Sequence, residues 1–157
     1  MNKRRVIRIA LVIITIGINT AAGIGFYLFN KPHRNVAESE IDFHISAAEL
    51  VDEYLNNATL ANQKYLADDG ESKILAITGT VSAISLDLNN QYVVLLKETS
   101  QHAGVSCTFA SSTNDQAKNL TAGHTATIKG VIRSGAEYDE DLDLYEDVIV
   151  EKCSITQ

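Results

Sequence analysis

From Ile74 onward the chain reads almost entirely as strand, and one short helical stretch interrupts it between the third and fourth strands. Ile74 to Leu86 is rich in β-branched residues. Asp87 to Asn90 makes a turn, Tyr92 to Leu96 a short apolar run, and Thr99 to Gly104 a second turn. Val105, Cys107 and Phe109 alternate with Ser106, Thr108 and Ala110, which gives a strand with one buried face. Asn114 to Leu120 suits about two helical turns. His124 to Arg133 is strand again, Ser134 to Asp147 a long acidic loop, and Val148 to Ile155 the last strand. Five strands with a helix between the third and fourth is the order of an OB fold. Two of the strands share a glycine in like surroundings, Ile77-Thr-Gly79-Thr-Val81 and Ile128-Lys-Gly130-Val-Ile132. Glycine inside a strand marks a bulge or bend, and a small barrel needs bends in its long strands. The expectation is a mainly β protein built on a five-stranded OB barrel, with an open antiparallel sheet as the alternative.

A helix precedes the barrel. Ser46 and Glu49 fit a capping box. Ala47, Leu50, Val51, Tyr54, Leu55, Ala58, Ala61 and Tyr65 recur at three- and four-residue spacing, so an amphipathic helix is expected from Ala47 to Leu66. Asn56, Asn57 and Thr59 weaken its middle, and two shorter helices are an alternative.

The N-terminal third of the chain has a different character. Ile9 to Phe29 is 21 residues without a charge, long enough for a membrane-spanning helix. Residues 1–34 carry six Lys or Arg and no acid, whereas the rest carries seven basic residues against all 20 acidic ones, −13 net. The basic flank Met1–Arg8 keeps that end in the cytoplasm. The reading is a cytoplasmic tail (1–8), an inner-membrane signal anchor (9–29), a tether (30–45) and an OB domain (46–157). A cleaved signal peptide with Thr20-Ala21-Ala22 at its cleavage site is the competing reading. Either one places the domain in the periplasm or outside the cell. Gly17, Ala21 and Gly25 fall four apart, a spacing that lets two membrane helices approach closely and form a homodimer. No cysteine follows the apolar run to take a lipid.

Several stretches resemble the tRNA_anti-like family, bacterial OB-fold proteins often found behind a signal or a membrane anchor. They are Asn57…Ala61…Lys64-Tyr65-Leu66, Ile77-Thr-Gly79-Thr-Val81, Tyr92-Val93-Val94-Leu95, Val105-Ser-Cys107-Thr-Phe109, Gly123…Ile128-Lys-Gly130 and Val150-Glu-Lys-Cys153-Ser-Ile155. The resemblance spans residues 46–156. It implies an OB fold and carries over no catalytic residue, and the family's ligands are largely undefined.

Candidate sites follow from the residues themselves. In an OB barrel the third and fifth strands are neighbours, so Cys107 and Cys153 either form a disulfide or pack as two buried thiols. Asp139-x-Asp141-x-Asp143 matches the start of a calcium loop, where alternate carboxylates converge on a hard cation. Leu144 then stands where the turn glycine belongs and Val150 where the bidentate Glu belongs, so a solvated acidic loop is the alternative. Tyr92, Tyr138 and Tyr145 are the aromatic residues expected on or near a ligand face. His33, His44, His102 and His124 show no metal-ligand spacing.

Composition and motifs narrow the function. No nucleophile elbow, phosphate loop or dinucleotide fingerprint occurs in the soluble part, so no enzyme activity and no cofactor are expected. The acidic domain lacks the Lys and Arg that a phosphate backbone needs, which disfavours single-stranded nucleic acid as a ligand. What remains is a non-enzymatic binding module for a protein segment or an oligosaccharide, with a cation or small-molecule carrier using the 139–147 loop as the alternative. Tyr92, the edge of the second or third barrel strand and the 134–147 loop are the surface expected to do the binding.

Overall fold

The five long strands close into a barrel through a pairing far apart in sequence. In a computed structural model that describes residues 13, 16–20, 22–26, 34–67 and 72–156, the barrel strands are β2 (Ile74–Leu86), β3 (Tyr92–Leu96), β4 (Val105–Phe109), β5 (Thr125–Ser134) and β8 (Val148–Ile155). They run β2-β3-β4-β8-β5, and β5 pairs back onto β2 from Ile74↔Val131 to Thr80↔Thr125. Only β4 and β8 run parallel within this ring. β2 serves both sides because its first half pairs with β5 and its second half with β3 across a register shift between Val81 and Ala83. This is the OB order, and the open sheet is not what forms. A short 3-10 helix, Asn114–Asn119, stands between β4 and β5.

Inward-facing residues of all five strands make the core. Ile77, Val81, Val94, Leu96, Val105, Cys107, Phe109, Ile128, Val148 and Val150 are each at most 1% exposed. The two strand glycines are there for close packing as much as for bending. A Cβ on Gly130 would stand 2.5 Å from Val150 Cγ1, and Gly130 lies in the register shift between Lys129 and Val131. A Cβ on Gly79 would stand 2.9 Å from Ala47 Cβ, so that glycine admits the first turn of the helix.

That helix, α1 (Ala47–Tyr65), starts as expected: the Ser46 hydroxyl accepts the Glu49 N–H. Its weak middle is a kink at Asn57 (φ −159°, ψ 86°), whose side chain recaps the second half by accepting the Leu60 N–H. Lys64 and the Tyr65 hydroxyl both donate to Glu53 across the kink. Leu50, Val51, Tyr54, Ala61 and Tyr65 are buried, but Leu55 and Ala58 are exposed.

The expected tether is mostly not a tether. Residues 34–45 lie on the barrel and belong to the compact unit that runs from Arg34 to Gln157. Val36 is buried, Asp42 accepts the Ile74 N–H, and β1 (Phe43–Ser46) adds to β2 in parallel. The buried Lys129 ammonium donates to the carbonyls of Ala37 and Ser39. A polar segment docks here because a cation from the barrel reaches out to satisfy its backbone, a contact with no sequence periodicity.

Of the expected membrane span, residues 13, 16–20 and 22–26 are described and are helical. Among the described residues no helix is long and apolar enough to cross a membrane. Gly17 and Gly25 lie in those helical stretches, while Ala21, the tail 1–8 and residues 27–33 lie outside the described residues.

Candidate functional site

The 134–147 segment, expected as a long acidic loop, contains a small hairpin. β6 (Glu137–Asp139) pairs with β7 (Leu144–Glu146), with Tyr138 opposite Tyr145 and Glu137 opposite Glu146. Asp139 makes the turn by accepting the N–H groups of Asp141 and Leu142, and Asp143 adopts a left-handed conformation (φ 52°). Such local bonding to the backbone is the usual work of Asp in turns.

This bonding also decides the fate of the proposed calcium ligands. Asp139 is committed to the turn, Asp143 accepts the Tyr138 hydroxyl, and Asp141 is exposed. The three carboxylates are therefore not gathered around a common point. Among the described residues no group of three His, Cys, Asp or Glu side chains is placed to hold a metal ion.

The tyrosines separate into two places. Tyr138 and Tyr145 meet across the hairpin with ring centroids 4.8 Å apart, and His102, from the loop between β3 and β4, stacks on Tyr145 at 4.9 Å. The result is a ladder of three rings, all exposed, with Tyr138 at 44% and Tyr145 at 39%. Asp147 ties the two loops together by accepting the Gly104 N–H, and Val148 N–H donates to the Gly104 carbonyl. Tyr92 is not part of this site. It is half-buried against the core, and Asn114 accepts its N–H from the 3-10 helix. Residue type alone points to Tyr138 and Tyr145 but not to His102, because nothing in the sequence reveals that the two loops touch.

The Asp143 carboxylate holds the Tyr138 hydroxyl proton, so its pKa lies above the usual phenol value. Beside the ladder runs a groove of about 400 Å³, lined by Tyr138 and Tyr145 together with Ala136 and Glu137 of the hairpin and Tyr54, Leu55 and Ala58 of α1. The Tyr54 ring forms its floor at 2% exposure, 6.3 Å from the ring of Tyr65. Gly135 admits that ring: a Cβ there would lie 1.9 Å from Tyr54 Cδ1. The Tyr54 hydroxyl is buried without a hydrogen-bond partner among the described residues, and burial raises its pKa to about 12.

The barrel wall offers less. Outward residues of β3 and β4 are Val93, Leu95, Ser106 and Thr108, which carry neither charge nor ring. Both strands are paired on both sides, so the strand edge expected as a binding surface does not exist. Cys107 and Cys153 are brought together in the core as free thiols and are fully buried. Burial, followed by contact with the Cys107 thiol, drives the Cys153 pKa well above its ordinary value. Their strands pair with a shift between Cys107 and Phe109, so that Cys107 lies opposite Val150 and Cys153 opposite Phe109. The structure thus shows the packed-thiol arrangement and not the bridge.

Residues 1–141 match the tRNA_anti-like family. The chain belongs to that family. The match reaches to the N-terminus, beyond the 46–156 stretch where motifs are visible, and it stops within the hairpin turn. No curated protein matches the chain. Among solved structures, a crystal structure named "putative nucleic acid-binding lipoprotein" from Klebsiella pneumoniae is similar, with a TM-score of 0.53 and 17% identity. The alignment covers 81% of this chain and all of that one, and at this identity it shows the OB-like fold alone.

Proposed function

We propose that this tRNA_anti-like protein is a membrane-anchored, extracytoplasmic and non-enzymatic binding module that captures its ligand at the β6–β7 hairpin. The observation that carries the reading is the ladder of His102, Tyr145 and Tyr138, three touching rings left in water beside an apolar groove. Tyrosine suits binding surfaces because it offers a large apolar face with a polar tip. The uncharged 9–29 run with its basic flank supports the membrane anchor, and the word lipoprotein in the name of the Klebsiella structure is in keeping with an envelope location.

That same name raises nucleic acid as a ligand. The hairpin argues the other way, because Glu137, Glu140, Asp141 and Glu146 would face a phosphate backbone with like charge. The β3–β4 face supplies no ring for a base to stack on.

The test is a thermal melt of the protein and of a variant in which Tyr138–Tyr145 is replaced by a two-residue Asn-Gly turn. The panel holds cell-wall oligosaccharides, peptides, Ca²⁺ and a single-stranded oligonucleotide. A ligand at about 100 times its dissociation constant stabilises by about 2.7 kcal/mol. The intact protein should gain that stability from one peptide or oligosaccharide, and the hairpin variant should fold but gain nothing. Equal gains in both proteins would remove the hairpin from the binding site.

A further inference from the structure

We propose that the groove between α1 and the β6–β7 hairpin docks an extended peptide segment bearing arginine or lysine. This rests on the hairpin's being the ligand-binding end of the protein, and it names the chemistry of the ligand.

Four observations converge on the groove. First, Leu55 and Ala58 fall on the apolar face of α1 by their spacing, yet both are exposed and line the groove opposite Tyr138 and Tyr145. A helix that keeps an apolar face where its own barrel does not cover it has surface left for a partner. Second, the ring ladder presents π-faces, which attract ammonium and guanidinium groups. Third, Glu137, which lines the groove, stands directly opposite Glu146 across the hairpin, and Glu146 lines the neighbouring groove. Like charges in that position destabilise a strand pair. No ion pair among the described residues reaches either one: Arg133, the cation that shares a neighbouring groove with both, is directed at Glu151 at 3.9 Å. Fourth, the Tyr54 hydroxyl in the groove's lining is buried and unpaired, so the groove's floor holds an unused polar group.

Each observation excludes other occupants. A phosphate or a nucleic acid is repelled by the Glu137–Glu146 pair. A neutral sugar stacks on rings but leaves that pair uncompensated. A metal ion needs more converging ligands than the hairpin offers. An organic cation carried on an extended chain satisfies the first three: its stem lies on Leu55 and Ala58, its head stacks on the rings, and Glu137 at the groove's edge balances its charge.

The experiment uses the full-length protein and a fluorescein-labelled, end-capped peptide of alternating glycine and arginine, read by fluorescence anisotropy. Its counterpart has glutamine for every arginine. The arginine peptide should bind about tenfold more tightly than the glutamine peptide, and the difference should shrink as salt shortens the screening length to about 8 Å at 0.15 M. Glu137→Gln with Glu146→Gln keeps shape and removes charge. It should weaken the arginine peptide about tenfold while the melting temperature holds or rises, which separates lost binding from lost folding. Tyr145→Leu should weaken it about fivefold. No binding of the arginine peptide, equal binding of both peptides, or an unchanged affinity in the double glutamine variant overturns the proposal. If the arginine proposal fails but an oligosaccharide or the neutral peptide binds in a Tyr145-dependent way, the hairpin remains the binding end. If the arginine peptide binds the hairpin-deleted variant as well as the intact protein, both readings fall.

Discussion

Gly135→Ala should unfold the junction between α1 and the hairpin, and the reason is a single ring. The added methyl carbon would stand 1.9 Å from Tyr54 Cδ1, 2.1 Å from Cε1 and 2.7 Å from Cγ. Gly135 does not have a positive φ, so backbone strain contributes nothing and the clash is the whole effect. Tyr54 is 2% exposed and faces Tyr65 on the helix side, so the ring can retreat only by leaving its packed position toward the groove. Overpacking of a core by one methyl costs about 1–3 kcal/mol when neighbours can yield. If the ring is expelled instead, the loss approaches the roughly 3–5 kcal/mol of deleting a buried aromatic side chain. The expected cost is about 3–5 kcal/mol, a fall in Tm of roughly 10–20 °C for a domain of this size. The assay is urea unfolding followed by circular dichroism, run as a double-mutant cycle with Tyr54→Ala. Tyr54→Ala alone should cost a similar amount, and Gly135→Ala made in that background should cost less than about 0.5 kcal/mol, the scale of ordinary surface substitutions. Additive losses would show that the two positions do not touch, and the groove floor described above would be wrong.

Three further outcomes are expected. Lys129→Met keeps the stem but leaves the Ala37 and Ser39 carbonyls without their donor, so it should lower stability by about 2 kcal/mol and raise amide exchange over residues 36–42. For Glu53, burial acts to raise the pKa, but hydrogen bonds from Lys64 and Tyr65 outweigh it and the net pKa is lowered. A lowered folded pKa contributes stability above the unfolded value of 4.5 and loses it as pH falls through the folded value. Glu53→Gln should therefore be less stable than the natural protein at pH 7 by up to about 1 kcal/mol, since the clamp is partly exposed, and the gap should close below about pH 4.5 in acid-titrated urea melts. Cys107 and Cys153, fully buried with the Cys153 thiol held protonated, should react with a thiol reagent only at the rate of global unfolding; fast labelling at pH 7 would place them nearer the surface.

The barrel was legible because its signals are local. Turn residues at Asp87–Asn90 and alternation through Val105–Phe109 mark strands whose bounds the structure reproduces, and the helix start follows from Ser46 and Glu49. The extra strand β1 and the docked segment before it were not legible. β1 pairs with β2 about thirty residues on, and the docked segment's partner, Lys129, lies about ninety residues away; a polar stretch held by a distant ammonium has the composition of a tether. The hairpin was missed for a related reason. Its turn uses Asp139 and Asp143, not the Asn-Gly or Asp-Gly pair that announces a two-residue hairpin, and its strands are three residues each. The candidate site inherits this: Tyr138 and Tyr145 are visible as residue types, but their meeting across the strands, and the arrival of His102, are consequences of register and loop contact.

Leu55 and Ala58 are where pattern and structure disagree in an informative way. Spacing assigns them to the buried face with Leu50, Val51, Tyr54 and Ala61, and the structure leaves both exposed beside the ring ladder, one on each side of the kink at Asn57. A sequence whose levels agree elsewhere tends to break its own pattern at functional positions. Leu60, 60% exposed, does not belong to the same face, so exposure of leucine along α1 is not in itself the signal. The signal is that residues patterned for burial, exposed rings and Glu137, one of an uncompensated pair of glutamates, line one groove. Replacing Leu55 by glutamine should then leave stability nearly unchanged, because water already reaches the side chain, while weakening capture of an arginine peptide; a loss of stability comparable to that of a buried leucine, about 2–5 kcal/mol, would mean that the helix packs more tightly on the barrel than the open groove implies.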